Sequence, residues 1–284
     1  MCYVNCQLCP RMCGADRTGG ERGFCGCPDG ALVAKAMRHF WEEPALAGKG
    51  GSGAIFFGGC TLQCVYCQNT AISSAPTGKV YSPEALRALM EALISQGAEN
   101  IDLITPTQYL PSILPALETP LSVPVVYNCG GYERVETLKM LAGKVDIYLP
   151  DLKYGDNALA KALSGAADYF ETAGAAIREM VRQVGPPQWA GERLKKGVIV
   201  RHLILPGQVE NSLKVLDFLG DTLKGQVLVS LMRQYTPMPG LPAPFDRTVT
   251  EEEYQAVLSW MYLNGLEGFT QSKDAADPGF IPNF

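Results

Sequence analysis

The sequence lacks any apolar run approaching the ~20 residues that a helix needs to cross a bilayer. Its first ten residues, MCYVNCQLCP, have neither the basic region nor the apolar region of a secretory signal peptide. A net charge of −5 and the absence of a long basic run argue against a partner that is bound through nucleic-acid phosphates. We therefore expect a cytoplasmic protein that binds neither a membrane nor a nucleic acid.

Cysteine, in contrast, is abundant, with ten residues in the chain. In a reducing compartment such cysteines are expected to bind metal rather than to form disulfides. Three of them, Cys60, Cys64 and Cys67, have the spacing C-x3-C-x2-C and follow a short apolar segment that ends in Gly58-Gly59. Thiolates suit iron–sulfur clusters, copper(I) or zinc. Three ligands without a fourth close behind would leave one iron of a four-iron cluster open for chemistry. The alternative is a structural zinc loop that is completed from elsewhere.

After about residue 45 the chain alternates short segments rich in Val and Ile with amphipathic helical patterns, which predicts an α/β fold with a parallel sheet. The predicted strands are Ala54–Phe57, Ile101–Thr105, Val123–Tyr127, Val145–Leu149, Val198–Leu205 and Val227–Leu231. The predicted helices begin after Ser82, cover Glu133–Leu141, Tyr169–Val184 and Glu210–Leu223, and follow a capping box at Thr250 and Glu253. Six β/α units result, too few for an eight-stranded barrel.

The cysteine motif, with the aromatic Tyr66 before its last cysteine, resembles that of the radical S-adenosylmethionine superfamily. The resemblance implies a 4Fe-4S cluster on Cys60, Cys64 and Cys67, which cleaves S-adenosylmethionine to methionine and a 5′-deoxyadenosyl radical that abstracts a hydrogen atom. It also implies a partial (β/α)6 barrel over residues 46–268. A small cysteine-rich metal-binding segment, 1–45, would precede the barrel, and a C-terminal tail, 269–284, would follow it.

Two strand ends resemble those of glycyl-radical-enzyme activases such as pyruvate formate-lyase activating enzyme. The resemblance implies that Asp151 and Lys153 border S-adenosylmethionine and that Arg201, in an Arg-x-x-x-x-Pro-Gly run, reaches its carboxylate. Asn128 stands where the activases have an aspartate, which weakens the case for a cation there. Asp151 and Lys153 lie two residues apart and so share a face of an extended strand end. The alternative for them is a salt bridge at the rim. His202, on the face opposite Arg201, is expected to pack under the helices.

Two further strand ends depart from the resemblance. Thr105 and Thr107 stand where many superfamily members have a Gly-Gly-Glu run that binds the amino group of the cofactor. Only the location is carried over, so both threonines are predicted to hydrogen-bond the cofactor there, with an ordinary turn as the alternative. Arg233, Gln234 and Tyr235 stand where activases have a Pro-Tyr-His-like run. They are predicted to contact the substrate, with a role as polar rim residues as the alternative.

The N-terminal segment carries a second group of cysteines at the spacing C-x2-C-x3-C-x11-C. These predicted ligands are Cys6, Cys9, Cys13 and Cys25. Four thiols on a short glycine-rich segment suit tetrahedral zinc or an auxiliary iron–sulfur cluster. Cys2 and Cys27 are alternative members of this set. Cys129 is instead expected to be a small core residue.

The resemblance predicts an enzyme, and best fits an uncharacterised branch related to the activases. An activase would act on a backbone glycine of a glycyl radical enzyme and would receive electrons from a flavodoxin or ferredoxin-like donor. A second hypothesis is radical chemistry on a small molecule or a peptide. A third, of another class, is an iron–sulfur protein that carries electrons or binds a partner without catalysis.

Overall fold

The computed structural model of the chain describes residues 3–271. Its strands are β1 (Ala31–His39), β2 (Ser52–Phe57), β3 (Lys79–Tyr81), β4 (Ile101–Ile104), β5 (Val125–Cys129), β6 (Ile147–Pro150), β7 (Gln188–Ala190), β8 (Arg193–Leu203), β9 (Leu228–Met232) and β10 (Gly268–Thr270). Its α-helices are α1 (Pro44–Ala47), α2 (Thr70–Ser73), α3 (Pro83–Ser95), α4 (Leu110–Ala116), α5 (Val135–Leu138), α6 (Asn157–Ser164), α7 (Tyr169–Val184), α8 (Val209–Leu223) and α9 (Glu251–Leu263).

One ten-stranded sheet organises the chain, in the order β10-β9-β8-β6-β5-β4-β2-β1-β3, with β7 paired to β8. The strands from β2 to β10 along this path pair in parallel, whereas β1 runs antiparallel to both of its neighbours. All six predicted strands are present in the parallel part, and the predicted α/β fold class is confirmed. No helix among residues 3–271 is long and apolar enough to cross a membrane.

Strands β1, β3, β7 and β10 were not predicted from the sequence. β1 lies inside the predicted segment 1–45 and pairs with β2, so the sheet continues across residue 45. β10 pairs with β9, so the sheet also reaches Thr270, inside the predicted C-terminal tail. The division of the chain at residues 45 and 268 stays a prediction. Residues 272–284 of the predicted tail, and Cys2, lie outside the described residues.

The sheet has two different faces. The face under the helices is apolar, and it carries Ile55, Leu103 and Val229, all buried in the main core. The opposite face lines the inside of the partial barrel and holds a smaller apolar cluster, formed around Leu46 of α1 and Ile199 of β8. Because Leu46 of α1 packs in this inner cluster, the short connection between β1 and α1 lies inside the barrel. There it can contact the inner side chains of the parallel strands.

His202 shows how completely the helix-facing side excludes water. Its ring is fully buried, with Nδ1 2.6 Å from the Leu152 carbonyl oxygen and Nε2 2.9 Å from Ser212 Oγ. The prediction that this histidine packs under the helices is confirmed. Burial lowers the pKa of His202 to about 4.

This shift predicts a loss of stability in acid. The unfolded chain binds a proton at His202 near pH 6.5, whereas the folded chain resists protonation until about pH 4. The free energy of unfolding should therefore fall as the pH drops through this window, by about 2 kcal/mol from this group between pH 7 and pH 5. Urea unfolding at the two pH values measures this change. The His202→Gln variant should show a weaker dependence.

The His39→Gln variant is the matched control, because His39 is the other histidine of the chain. Burial also lowers the pKa of His39, but this ring is incompletely buried. A pH dependence that is lost in His39→Gln and kept in His202→Gln would contradict the assignment.

Candidate active site

The cysteine loop follows β2 directly, at the carboxyl end of the parallel strands. Gly59 enters the loop at φ +75°, and a Cβ there would lie 2.2 Å from Cys27 Sγ and 2.5 Å from the Cys25 carbonyl oxygen. Glycine is therefore required by both the backbone conformation and the close approach of the N-terminal segment. Cys64 is buried, and Cys60 and Cys67 are partly exposed.

Each sulfur of the loop has a polar partner. Leu62 N–H donates to Cys60 Sγ over 3.4 Å, Ser164 Oγ to Cys64 Sγ over 3.0 Å, and Ser73 Oγ to Cys67 Sγ over 3.5 Å. Hydrogen bonds to sulfur are one of the means by which proteins tune iron–sulfur clusters. Burial raises the pKa of Cys60 to about 12 and also raises the pKa of Cys67, so loading with metal would release protons.

Within residues 3–271, no three His, Cys, Asp or Glu side chains converge as ligands of a single metal ion. A four-iron cluster has a different requirement, because each thiolate binds a different iron atom and the sulfurs stand further apart than around one ion. Three thiols from one loop, each with a hydrogen-bond donor, fit such a cluster. Cys60, Cys64 and Cys67 would hold it.

The N-terminal segment is packed against the cysteine loop. Arg17 is 2% exposed, donates to the carbonyl oxygens of Pro28 and Gln108, and stacks over Tyr3 with 4.3 Å between its Cζ and the ring centroid. The Gln108 side chain in turn donates to the carbonyl oxygens of Gly58 and Gly59. A chain of hydrogen bonds thus connects the segment to the backbone that leads into the loop.

A second contact between the two regions is made by Arg11. Its guanidinium donates to the carbonyl oxygens of Thr61 over 3.0 Å and Ser164 over 2.7 Å, and lies 4.0 Å from the centroid of the Phe24 ring. On the other side, Gln63 Nε2 donates to the Phe24 carbonyl oxygen over 2.8 Å. The N-terminal segment is therefore part of the wall around the cysteine loop.

The cysteines of this segment differ in exposure. Cys6, Cys9 and Cys25 are buried, whereas Cys13 is exposed. The alternative ligand, Cys27, is fully buried and donates to the Cys25 carbonyl oxygen over 3.3 Å. A hydrogen bond from the Cys27 thiol lowers the pKa of Cys25 to about 6. All nine described cysteines are free thiols, and the predicted ligand set of Cys6, Cys9, Cys13 and Cys25 stays a prediction.

Asp151, Lys153 and Arg201 form one ion-pair group at the carboxyl ends of β6 and β8. Lys153 Nζ lies 2.5 Å from Asp151 Oδ2, and Arg201 Nε lies 2.8 Å from Asp151 Oδ1. Burial opposes ionisation of Asp151, but the charges of Arg201 and Lys153 overcome it, so the pKa of Asp151 lies below its usual value. The expected common face of Asp151 and Lys153 is confirmed.

The group continues across the inner face of the barrel. Arg201 Nη2 donates to Asn128 Oδ1 over 2.6 Å, and Asn128 Nδ2 donates to Asp102 Oδ2 over 3.2 Å. Glu42, from the β1–α1 connection, lies with Oε1 3.8 Å from Arg201 Nη1. Asp102 is fully buried, and burial together with the neighbouring Glu42 raises its pKa far above the usual value.

Asp102 and Glu42 were not predicted from the sequence. One signal for Asp102 was available, since it is the only charged residue in β4, Ile-Asp-Leu-Ile. For Glu42 no such signal existed, because its position depends on β1 returning the chain under the barrel. Glu43 beside it was missed for the same reason.

A cavity of about 720 Å³ lies inside the partial barrel. Its lining includes His39 of β1 and Phe56 of β2, but also Met232 of β9 and Thr270 of β10. These strands come from opposite ends of the sheet, so the sheet curls and the cavity lies on its open side. Of the predicted site residues, Asn128, Arg201 and Gln234 line this cavity.

Several predicted cofactor-binding residues lie elsewhere. Thr107 is 2% exposed and is hydrogen-bonded to Tyr127 and Glu133 under the helices. Thr105 has a positive φ of 59°, which is rare for a β-branched residue. Tyr66 is buried and shares a 2.8 Å hydrogen bond with the Tyr154 hydroxyl. The structure does not bring Thr105, Thr107 or Tyr66 to the cavity lining.

The predicted substrate residues Arg233, Gln234 and Tyr235 directly follow β9, and only one of them lines the cavity. Gln234 lines the cavity, and its backbone carbonyl accepts a 2.9 Å hydrogen bond from Gln68 Nε2, next to the cysteine loop. Arg233 instead pairs with Glu251 at 3.0 Å, and Tyr235 donates to the Phe245 carbonyl oxygen over 2.8 Å. A substrate contact from Arg233 or Tyr235 is therefore not favoured, because both side chains are engaged by other residues and neither lines the cavity.

Comparison with known proteins agrees with this geometry. Residues 46–105, which contain the cysteine loop, match the family model of a 4Fe-4S single cluster domain. Over 246 residues the chain is 31% identical to the uncharacterized protein MJ0674 of Methanocaldococcus jannaschii, covering 83% of this chain and 67% of the archaeal protein. The chain belongs to one family with this archaeal protein.

Two solved structures have a similar fold. A radical SAM methyltransferase from Sphaerobacter thermophilus superposes with a TM-score of 0.54 at 14% identity, over 78% of this chain and 66% of that one. SuiB of Streptococcus suis, bound to its precursor peptide SuiA, superposes with a TM-score of 0.53 at 13% identity, over 75% of this chain and 47% of that one. This chain therefore spans less than two thirds of either structure. The match to a 4Fe-4S single cluster domain supports the predicted cluster in the region of Cys60, Cys64 and Cys67.

Proposed function

We propose that this chain is a radical S-adenosylmethionine enzyme. When bound, the cluster supplies the electron that cleaves S-adenosylmethionine to methionine and a 5′-deoxyadenosyl radical, and the radical takes a hydrogen atom from the substrate. The observation that carries the proposal is the cysteine loop at the carboxyl end of β2, with a hydrogen-bond donor at each of its three sulfurs. The chain itself would hold the cluster, orient the cofactor and exclude water.

Arg201 is the residue proposed to bind the carboxylate of S-adenosylmethionine. Its guanidinium is fixed by Asp151 and Asn128 through Nε and Nη2, and Nη1 lies 3.8 Å from Glu42, beyond hydrogen-bond distance. A planar guanidinium held in this way suits a carboxylate. Asp151 and Lys153 would fix the orientation of Arg201 and border the cofactor.

For the reaction on the substrate, we retain activation of a glycyl radical enzyme as the first proposal. It is supported by the Asp-Leu-Lys run at 151–153 and by Arg201, which the structure brings into one group. A flavodoxin or ferredoxin-like protein would donate the electron, in the reducing cytoplasm that free thiols require. A peptide or small-molecule substrate is the second proposal, favoured by the cavity of about 720 Å³ inside the barrel.

The first experiment is anaerobic reconstitution with iron and sulfide, followed by S-adenosylmethionine and a strong reductant, with 5′-deoxyadenosine as the product assayed. We expect 5′-deoxyadenosine from the reconstituted protein. Its absence from a protein that holds its full iron complement would favour an electron carrier or a binding role. A glycyl radical detected by electron paramagnetic resonance on a co-expressed partner would distinguish the activase from the second proposal.

A further inference from the structure

The cavity wall carries more negative than positive charge once the internal ion pairs are taken into account. The two arginines that line it are already engaged: Arg193 Nε lies 3.0 Å from Glu99, and Arg201 Nε lies 2.8 Å from Asp151. Glu42 and Glu43, which enter from the β1–α1 connection, line the same cavity. Glu42 shares Arg201 with Asp151, at 3.8 Å from Nη1, so the acidic lining residue without a close counter-ion is Glu43.

Glu43 is an acidic side chain that lines the cavity without an ion-pair partner among the described residues. Its carboxyl group is hydrogen-bonded to Ser230 of β9, and no Lys, Arg or His among residues 3–271 lies within 4.0 Å of it as an ion-pair partner. Burial and the neighbouring Glu42 raise the pKa of Glu43 to about 7. A largely buried carboxyl group that borders a cavity without a cationic partner is costly unless a ligand compensates it.

Asp102 gives an independent indication of the same imbalance. It is fully buried on the inner face of β4, beside Glu42, and its Oδ1 atom has no hydrogen-bond partner. The barrel interior thus holds four carboxyl groups but two basic side chains. The acids are Glu42, Glu43, Asp102 and Asp151, and the bases are Lys153 and Arg201. With a proton on Asp102, the remaining unmatched negative charge is that of ionised Glu43.

The strand register separates this acidic wall from the cysteine loop. In the β1–β2 pair, Val33 lies opposite Phe57, just before the loop, whereas His39 lies opposite Ser52. Five residues of strand, about 16 Å, therefore lie between the loop and the point where the chain turns toward Glu42 and Glu43. Glu42 still lies 3.8 Å from Arg201 Nη1, so the acidic wall begins beside the residue proposed to bind the S-adenosylmethionine carboxylate.

We propose that Glu43, together with Glu42, binds an ammonium or guanidinium group of the substrate. The substrate would then carry a cationic group, either as a small amine or as a lysine or arginine side chain of a peptide. Phe40 and Trp41, which directly precede the two glutamates, also line the cavity. This inference rests on the proposed function, because it assigns a substrate class to the proposed reaction.

The test measures binding rather than turnover. Isothermal titration calorimetry of the cluster-loaded protein, in the presence of S-adenosylmethionine, would use agmatine, its neutral analogue N-butylurea, and the peptide acetyl-Gly-Arg-Gly-amide. We expect saturable binding of agmatine or of the peptide, but not of N-butylurea. The Glu43→Gln variant should weaken this binding at least about 10-fold, as loss of a buried charge-assisted contact does. Tighter binding of the peptide than of agmatine would indicate a peptide substrate, and the reverse order a small amine.

Two variants make the result specific. Glu43→Asp keeps the charge on a shorter side chain and should retain more affinity than Glu43→Gln. Glu91→Gln makes the same charge change on the exposed face of α3, where Glu91 pairs with Arg87, and should bind both cationic probes like the wild type. Thermal unfolding of each variant verifies that it is folded.

Three outcomes would overturn the inference: no saturable binding of either cationic probe, equal binding by the wild type and Glu43→Gln, or displacement of agmatine by S-adenosylmethionine. None of them depends on 5′-deoxyadenosine formation. A protein that binds agmatine through Glu43 but forms no 5′-deoxyadenosine would refute the proposed reaction while confirming the cation site.

Discussion

Replacing Cys64 by alanine is expected to reduce 5′-deoxyadenosine formation by more than about 100-fold, since loss even of a residue behind a metal ligand costs about 10–100-fold. Cys64 is the buried member of the cysteine loop and accepts a 3.0 Å hydrogen bond from Ser164. Without this thiolate, two ligands from the loop would remain. Iron content after reconstitution and the iron–sulfur absorbance of the same sample would fall together with the product assay.

Cys129→Ala is the matched control for this prediction. Cys129 is a buried thiol at the end of β5, in the main core rather than in the loop. We expect this variant to keep the iron content and the 5′-deoxyadenosine yield of the wild type, with some loss of stability. Wild-type activity in Cys64→Ala would make the cluster assignment wrong. Equal loss in both variants would point to a general defect in folding.

Replacing Arg201 by alanine is expected to weaken S-adenosylmethionine binding by about 10- to 100-fold, the range for a lost charge-assisted hydrogen bond. The cluster should still assemble, because Arg201 lies on β8 and contributes no ligand. The variant also leaves Asp151 without one of its two cationic partners. Equilibrium binding of S-adenosylmethionine to the cluster-loaded protein measures the effect. Arg201→Lys should show an intermediate loss, since an ammonium keeps the charge but not the planar fork.

Arg233→Ala provides a comparison in which an arginine is lost outside the barrel. Arg233 pairs with Glu251 and stacks over Tyr254, with 4.3 Å between its Cζ and the ring centroid. Its removal should lower the free energy of unfolding by about 1 kcal/mol. We expect S-adenosylmethionine affinity to stay close to that of the wild type. If Arg201→Ala bound the cofactor as tightly as Arg233→Ala, Arg201 would be removed from the proposed site.

The sequence alone predicted the parallel part of the fold because its signals are local. The six strands were recognised from short runs of Val and Ile, and the caps at Ser82 and Thr250 are both present as side-chain hydrogen bonds. The edge strands β3, β7 and β10 were missed since each has three residues, too few for a periodic pattern. The nine-residue β1 was missed because it lies within residues 1–45, where the cysteine spacing predicts a metal-binding segment.

For the candidate site, the spacing of residues in the sequence predicted those features that depend on residues close together in the chain. The cysteine spacing identified the loop, and the two-residue separation of Asp151 and Lys153 gave their shared face, which the structure confirms. Arg201 was assigned by resemblance, and the structure joins it to Asp151. The outward orientation of Arg233 and Tyr235 was not predicted, because it depends on the direction in which the chain leaves β9, and no local sequence pattern indicates that direction.

The acidic wall, in contrast, exists only in the folded chain. Glu42 and Glu43 precede α1 by one or two residues, in a stretch with no motif, and they enter the barrel because β1 runs antiparallel to β2 and returns the chain beneath it. Their partners Asp102, Asn128 and Ser230 come from three other strands. The sequence by itself thus determined the fold class and the cysteine loop, which depend on residues close together in the chain. The tertiary structure decided the charge of the cavity, because that charge depends on which distant side chains are buried together.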